Sequence, residues 1–187
     1  MVGIPAFFVD PVCVDEMTDV AHYTGFADFR RLSQFHALNQ KSIGRKAAAA
    51  LGRPYEQVNL IVCHLGGGVS VAAHHHGRVV DVFNVKDEGS MGMDRAGGLP
   101  VNQLIDYCYS GRSKEQVKKT LGRRAGMFSY LGTTDFRVIC AKVTEGDPQL
   151  VEAYQALVYQ LAKDIGAMAA VLRFHVDAIA YTGGMAY

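Results

Sequence analysis

The chain has 187 residues, 49% hydrophobic and 20% charged, which is enough to build a core and points to one soluble globular unit. Its 19 basic and 18 acidic residues leave a net charge of +1, which excludes the basic surface of a polyanion-binding protein, so no nucleic-acid partner is expected. Apolar runs are interrupted by charge, as at Lys163, Asp164 and Arg173, and Met1 leads into no basic segment, so neither a membrane span nor a signal peptide is expected.

Gly3-Ile-Pro-Ala-Phe-Phe-Val9 reads as an early strand, with residues 6–9 its apolar part and Asp10-Pro11 its stop, because proline removes a ladder donor. Helix-forming residues then run from about Phe35 to Leu51, closed by Gly52 and Pro54. The clearest β signal follows. Leu60-Ile-Val-Cys-His-Leu65, Val69-Ser-Val-Ala-Ala73 and Arg78-Val-Val-Asp-Val-Phe83 are three strands joined by Gly66-Gly67-Gly68 and His76-Gly77, an antiparallel meander. Residues 84–99 are irregular. Pro100 opens a helix that ends by Gly111, and Ser113 precedes a second with Glu115 and Gln116 in its first turn. The strongest helix begins at Asp147-Pro148, with Leu150, Tyr154, Leu157, Val158, Leu161, Ile165, Met168 and Leu172 at helical spacing. A last buried strand covers residues 178–181 and runs into the turn Thr182-Gly183-Gly184. Both ends of the chain fall inside apparent structure, so the sequence reads as truncated.

Several of these elements can carry chemistry. Consecutive glycines at 66–68 let backbone N–H groups approach a phosphate, although the same residues also make a plain tight turn. Gly183-Gly184 ends a strand where α/β proteins bind nucleotides, or simply turns the chain. Arg95, in Asp94-Arg-Ala-Gly-Gly-Leu-Pro100, is either an anion-binding arginine in an ordered loop or a solvated one. Asp10 reads as a catalytic acid at a strand end or as a turn-former. His74, His75 and His76 read as a solvated hairpin tip, since adjacent strand residues face opposite ways and cannot converge on one metal. Cys13, Cys63, Cys108 and Cys140 form no CxxC pair; each is expected as a small core residue in a reducing cytoplasm.

In chain order, Phe8-Val-Asp-Pro-Val12, Phe35-His-Ala-Leu-Asn-Gln-Lys41, His64-Leu-Gly-Gly-Gly68, Arg95-Ala-Gly-Gly-Leu-Pro100, Tyr130-Leu-Gly-Thr-Thr-Asp135 and Thr182-Gly-Gly-Met-Ala-Tyr187 closely resemble the butyrate kinases. These belong with the acetate kinases in the superfamily of sugar kinases, heat-shock chaperones and actin, whose two ribonuclease H-like lobes hold ATP between them. The resemblance implies an α/β fold: residues 59–187 as the nucleotide-binding second lobe, incomplete at its C-terminal end, and residues 1–58 as the tail of the first lobe and an interlobe segment. It implies phosphoryl transfer from ATP, with Mg2+, to butyrate or a branched short-chain acid.

Residue by residue, the resemblance implies that Asp10 is the active-site aspartate, orienting magnesium-bound water or Arg95, and that Arg95 steadies the transferring phosphoryl group. It places His64, Gly66, Gly67 and Gly68 in the ATP-phosphate hairpin. Asp135, Phe136 and Arg137 fall on the adenosine side, and Gly183 and Gly184 under the nucleotide. His36 matches a histidine shared by both enzymes. Acetate kinases carry a further histidine four places on, where Gln40 stands here, a departure toward the butyrate side. Phe7, Phe8, Phe83 and Met93 are candidates for an apolar acyl pocket. The lobes of such proteins pack face to face, so a homo-oligomer or another association is expected. The alternative is a truncated, inactive lobe that at most binds nucleotide or a partner. A dinucleotide-binding oxidoreductase is disfavoured, because the glycines sit in an antiparallel hairpin.

Overall fold

The structure, a computed structural model, describes residues 3–187. At its centre β1 (Asn59–Leu65), β2 (Val69–His75) and β3 (Arg78–Val82) form the antiparallel meander expected from the sequence. β4 (Ala178–Thr182) pairs in parallel with β1, giving the sheet order β3-β2-β1-β4. A parallel neighbour requires a long crossover. Here the intervening chain supplies five helices: α2 (Val101–Cys108), α3 (Lys114–Arg123), α4 (Gly126–Leu131), α5 (Phe136–Thr144) and α6 (Pro148–Val171).

Local signals explain most helix starts. The Ser113 hydroxyl accepts from the Gln116 N–H while the Gln116 side chain reaches back, a capping box. Asp147 accepts from the N–H groups of Gln149 and Leu150, with Pro148 in the first turn. The short α4 and α5, which carry little periodicity, are not evident in the sequence.

Helices cover both faces of the sheet, and strand alternation decides what each residue meets. α1 (Ala37–Ala50) packs over Leu60 and Val62, with Ala48, Tyr55 and Val58 filling the layer. On the same side residues 14–37 bring Met17, Ala21 and Phe35 against Ala72, Val79 and Val82. The opposite face, carrying Ile61, Cys63, Val71 and Ala73, receives Met168 and Leu172 from α6. His64, Ser70 and His74 therefore point toward α1, whereas Leu65 and Val69 point toward α6.

This two-sided cover corrects three expectations. Instead of sitting in a solvated hairpin tip, His74 is fully buried under α1, bonded through Nδ1 to the Tyr55 hydroxyl; His75 and His76 do lie outside, stacked on each other. Residues 6–9 form no strand: a run of β-formers needs a neighbour to pair its backbone, and none of the described residues lies beside it. Cys63 is in the core, but Cys13 and Cys108 are exposed, because the segments that carry them pack little side chain inward.

The irregular segment between β3 and α2 is fixed by polar contacts from every side. Glu88 pairs with Arg31, itself bonded to Asp81 on β3. The Ser90 N–H and hydroxyl both donate to the buried Asp164 of α6, and Gln160 accepts from the Met91 N–H. Farther along, the Asp94 N–H donates to the Gly67 carbonyl and the Ala96 N–H to Leu121. Such a loop is ordered by tertiary contacts, and it carries Arg95.

Candidate active site

The turn Gly66–Gly68 leaves β1 at its carboxyl end, beside the carboxyl end of β4. A side chain on Gly68 would come within 2.6 Å of Arg95 Nη1 and 2.5 Å of Val85 Cγ2, so the missing Cβ is what lets the guanidinium rest on the hairpin. Gly92 packs directly against the Gly67 carbonyl, and Asp94 flanks Gly67 on the same side. Two elements distant in sequence thus share one cleft wall.

α1 brings its N-terminus to the same place. His36 stacks on His64 with ring centroids 3.6 Å apart and planes 9° from parallel. His36 Nδ1 is 2.8 Å from Ser70 Oγ, and His64 Nδ1 is 2.8 Å from Asn39 Oδ1. Burial, helped by His64 and the Arg95 charge, holds the His36 pKa down at about 4, and burial lowers that of His64. Both rings are neutral at pH 7 and serve as hydrogen-bonding groups.

Asp10 faces these rings across a cleft of about 570 Å³ whose apolar lining includes Val12, Phe35 and Leu38. Its backbone takes φ +44°, a conformation non-glycine residues seldom adopt outside constrained sites. Of the two partners expected for Asp10, magnesium-bound water or Arg95, it makes no ion pair with Arg95. Asp10 lies 3.5 Å from Lys41 Nζ and 3.6 Å from Arg45 Nη1, both on α1, and the carboxylate beside Arg95 is that of Asp94, at 3.9 Å. Asp10 Oδ2 and Asp94 Oδ1 are the two buried side-chain polar atoms without a hydrogen-bond partner among the described residues. Buried acceptors left open at a cleft suit waters or donors of a bound group.

A second cluster adjoins the first through Leu65, whose side chain points to the α6 side. Phe136, Tyr154, Leu157 and Met185 join Leu65 around a small apolar cavity of about 130 Å³. Gly183 takes φ +92° and lies directly on the Leu65 carbonyl, where no Cβ fits, and the Met185 N–H donates to that same carbonyl. The glycine turn after β4 and the start of α5 thus reach the hairpin from behind. Asp135 caps α5 and pairs with Arg137 at 2.7 Å on the surface.

Asp10, His36 and His64 line the cleft, and the hairpin Gly66–Gly68 with Arg95 on it lies beside it: a Gly66 Cβ would be 3.3 Å from His64 Nε2, and the Arg95 charge acts on His36. Gln40 is not in the cleft: fully buried, it spends its amide on Ser70 and His74. Nor do Phe7, Phe8, Phe83 and Met93 form a pocket, since the first two are exposed and the others pack in separate clusters. Asn39, Ser70 and Asp94 were missed; Ser70, a polar residue in an otherwise apolar strand, carried a readable signal. A larger concavity, of about 850 Å³, lies near His75, His76 and Arg173 and contains none of the expected site residues.

Comparisons with known proteins show the fold and the family. Crystal structures of an acetate kinase from Porphyromonas gingivalis (TM-score 0.82, 24% identity, 90% of this chain and 44% of that one) and a propionate kinase from Francisella tularensis (TM-score 0.79, 23% identity, 90% and 46%) share the fold. A probable butyrate kinase from Listeria monocytogenes serotype 4a is 49% identical over 185 residues, 98% of this chain and 52% of that protein. Butyrate kinase 1 of Clostridium acetobutylicum is 45% identical over 188 residues, 100% of this chain and 53% of that protein. The chain spans about half the length of the curated relatives it matches. A model of the acetokinase family covers residues 22–186, which takes in His36, the hairpin, Arg95 and the turn after β4, and on that match the chain belongs to the acetokinase family.

Proposed function

We propose that this chain forms one wall of a carboxylate kinase, moving a phosphoryl group reversibly between ATP and butyrate or a branched short-chain acid in the cytoplasm. Residues 59–187 are then the nucleotide-facing lobe, with residues 1–58 linking it to a first lobe. One observation carries the reading: the Arg95 guanidinium rests on a side-chain-free hairpin beside the cleft lined by two stacked histidines and Asp10.

A carboxylate acceptor is ionised at pH 7 and needs no general base. The obstacle is bringing one anion to another, so catalysis rests on placing positive charge and N–H donors around the moving group. Arg95 offers a planar fork for two phosphoryl oxygens, and the hairpin offers backbone N–H groups. Magnesium bound with the nucleotide would supply charge neutralisation at the phosphates. The open acceptors on Asp10 and Asp94 fit its water shell, because magnesium usually keeps its waters and takes few protein ligands. Val12, Phe35 and Leu38 give the acid's hydrocarbon tail an apolar wall. One methylene is worth only about 1–3 kcal/mol in such a site, so several four- and five-carbon acids should be accepted.

The cleft is a single wall open to water, and phosphoryl transfer requires a closed site. The 187-residue chain alone is therefore expected to bind ADP without turning over, while a polypeptide supplying both lobes makes acyl phosphate. Calorimetric titration with Mg-ADP and trapping of acyl phosphate by hydroxylamine test the two halves of the reading. A two-lobed enzyme inert toward all two- to five-carbon acids would overturn it.

A further inference from the structure

The buried polar network beneath the cleft has a direction, and that direction can be worked out from one backbone carbonyl. The Ser70 carbonyl can only accept, and it lies 3.0 Å from one end of the Gln40 amide. That end is therefore the NH2, which also donates to Ser70 Oγ at 2.8 Å. The Gln40 carbonyl then faces His74 Nε2 at 3.1 Å and requires a proton there, leaving His74 Nδ1 to accept from the Tyr55 hydroxyl at 2.6 Å. Gly44 makes room for this pair: a side chain there would come within 2.8 Å of Tyr55 and 3.3 Å of His74 Nδ1.

Ser70 Oγ, already accepting from Gln40, still has its own proton to give. Its remaining hydrogen-bond partner among the described residues is His36 Nδ1, 2.8 Å away, and Ser70 is buried from water. Were His36 protonated on Nδ1, the serine proton would have no acceptor, at a cost of about 1–3 kcal/mol for an unpaired buried donor. The ring's single proton is therefore placed on Nε2. That nitrogen has no hydrogen-bond partner among the described residues, and His36 lines the cleft.

We propose that Gln40, acting through Ser70, is a positioning residue that keeps the His36 proton on Nε2, so that the ring meets anionic reactants as an N–H donor. Protonated on Nδ1, the ring would instead turn a lone pair toward phosphoryl or carboxylate oxygens. The assignment deepens the kinase reading and rests on it for its purpose, although the position of the proton is a property of the chain itself. Stacking against His64 holds the ring plane, and the Gln40–Ser70 pair sets which edge carries hydrogen.

Long-range proton–nitrogen correlation spectra of the 187-residue chain, 15N-labelled at histidine and recorded at pH 7, read the tautomer directly, with His36→Gln identifying the signals. The expected result is a single Nε2-protonated form for His36, joined by an Nδ1-protonated population in Gln40→Met and in Ser70→Ala. If Gln40→Met does not fold, Ser70→Ala decides, since it leaves the Gln40 bonds to the carbonyl and His74 in place. A wild-type ring protonated on Nδ1, or no second population in either folded variant, overturns the proposal. In a two-lobed enzyme Gln40→Met should lower kcat roughly tenfold with the KM for ATP little changed. Unchanged kcat would sink the positioning role and leave the kinase reading standing; an enzyme without carboxylate kinase activity would do the reverse, because the spectra still report the tautomer.

Discussion

The two turns that bound β2 differ in what shapes them. His76-Gly77 is shaped by the backbone: both residues take positive φ, +49° and +84°, and the nearest neighbour of a Gly77 Cβ would be Glu56 at 3.3 Å. Gly66–Gly68 is shaped by its surroundings, for Arg95, Val85, Gly92 and Asp94 all press on it from another part of the chain. The first turn reverses the chain. The second makes room for an arginine, so the same residue type reverses the chain at one end of a strand and, in the proposed function, shapes a phosphate site at the other.

The sharpest way to break this contrast is Arg95→Ala in a two-lobed enzyme. Loss of one charge-stabilising group commonly costs about 10²–10³ in rate, so kcat should fall by that much with little change in the ATP KM. Arg95→Lys should not rescue it, because a point charge lacks the planar fork. Near-normal turnover in either variant would reject the role. Gly68→Ala comes next. Its methyl group must displace the guanidinium, and roughly tenfold to hundredfold loss of kcat is expected, with Arg95 itself unaltered.

Half-buried His36 and fully buried His74 act on stability. Burial depresses the pKa of His36 to about 4 and of His74 to about 3, against about 6.5 in an unfolded chain. Below 6.5 the unfolded chain takes up protons that the folded one refuses. The stabilisation is therefore complete above pH 6.5 and is lost as pH falls toward 3, at up to about 1.4 kcal/mol per pH unit for each proton. Thermal melts from pH 8 to pH 4 should show this decline, flattened in His74→Gln; a pH-independent Tm would contradict the burial of these rings. The smallest effect belongs to Gly77→Ala. Forcing alanine into a left-handed conformation should cost about 1–2 kcal/mol, seen as a lower Tm with Mg-ADP binding unchanged. A binding defect there would erase the distinction between the turns.

The sequence alone was enough to determine the meander, its two turns, the long α6 with its Asp147 cap and the order of the site motifs. Strand alternation, glycine placement and capping act over a few residues, so a local pattern specifies them. It could not determine which faces of the sheet would be covered. That decided the fate of His74, Gln40 and the phenylalanines, because burial depends on what packs on top and not on the residue's neighbours in the chain. The cleft itself is also a tertiary product. Arg95 reaches the hairpin because Asp164, Gln160 and Arg31, each distant in sequence, fix an otherwise irregular loop. A lone arginine between glycines reads the same whether solvated or held; the space left by the absent Gly68 side chain is what seats it on the hairpin.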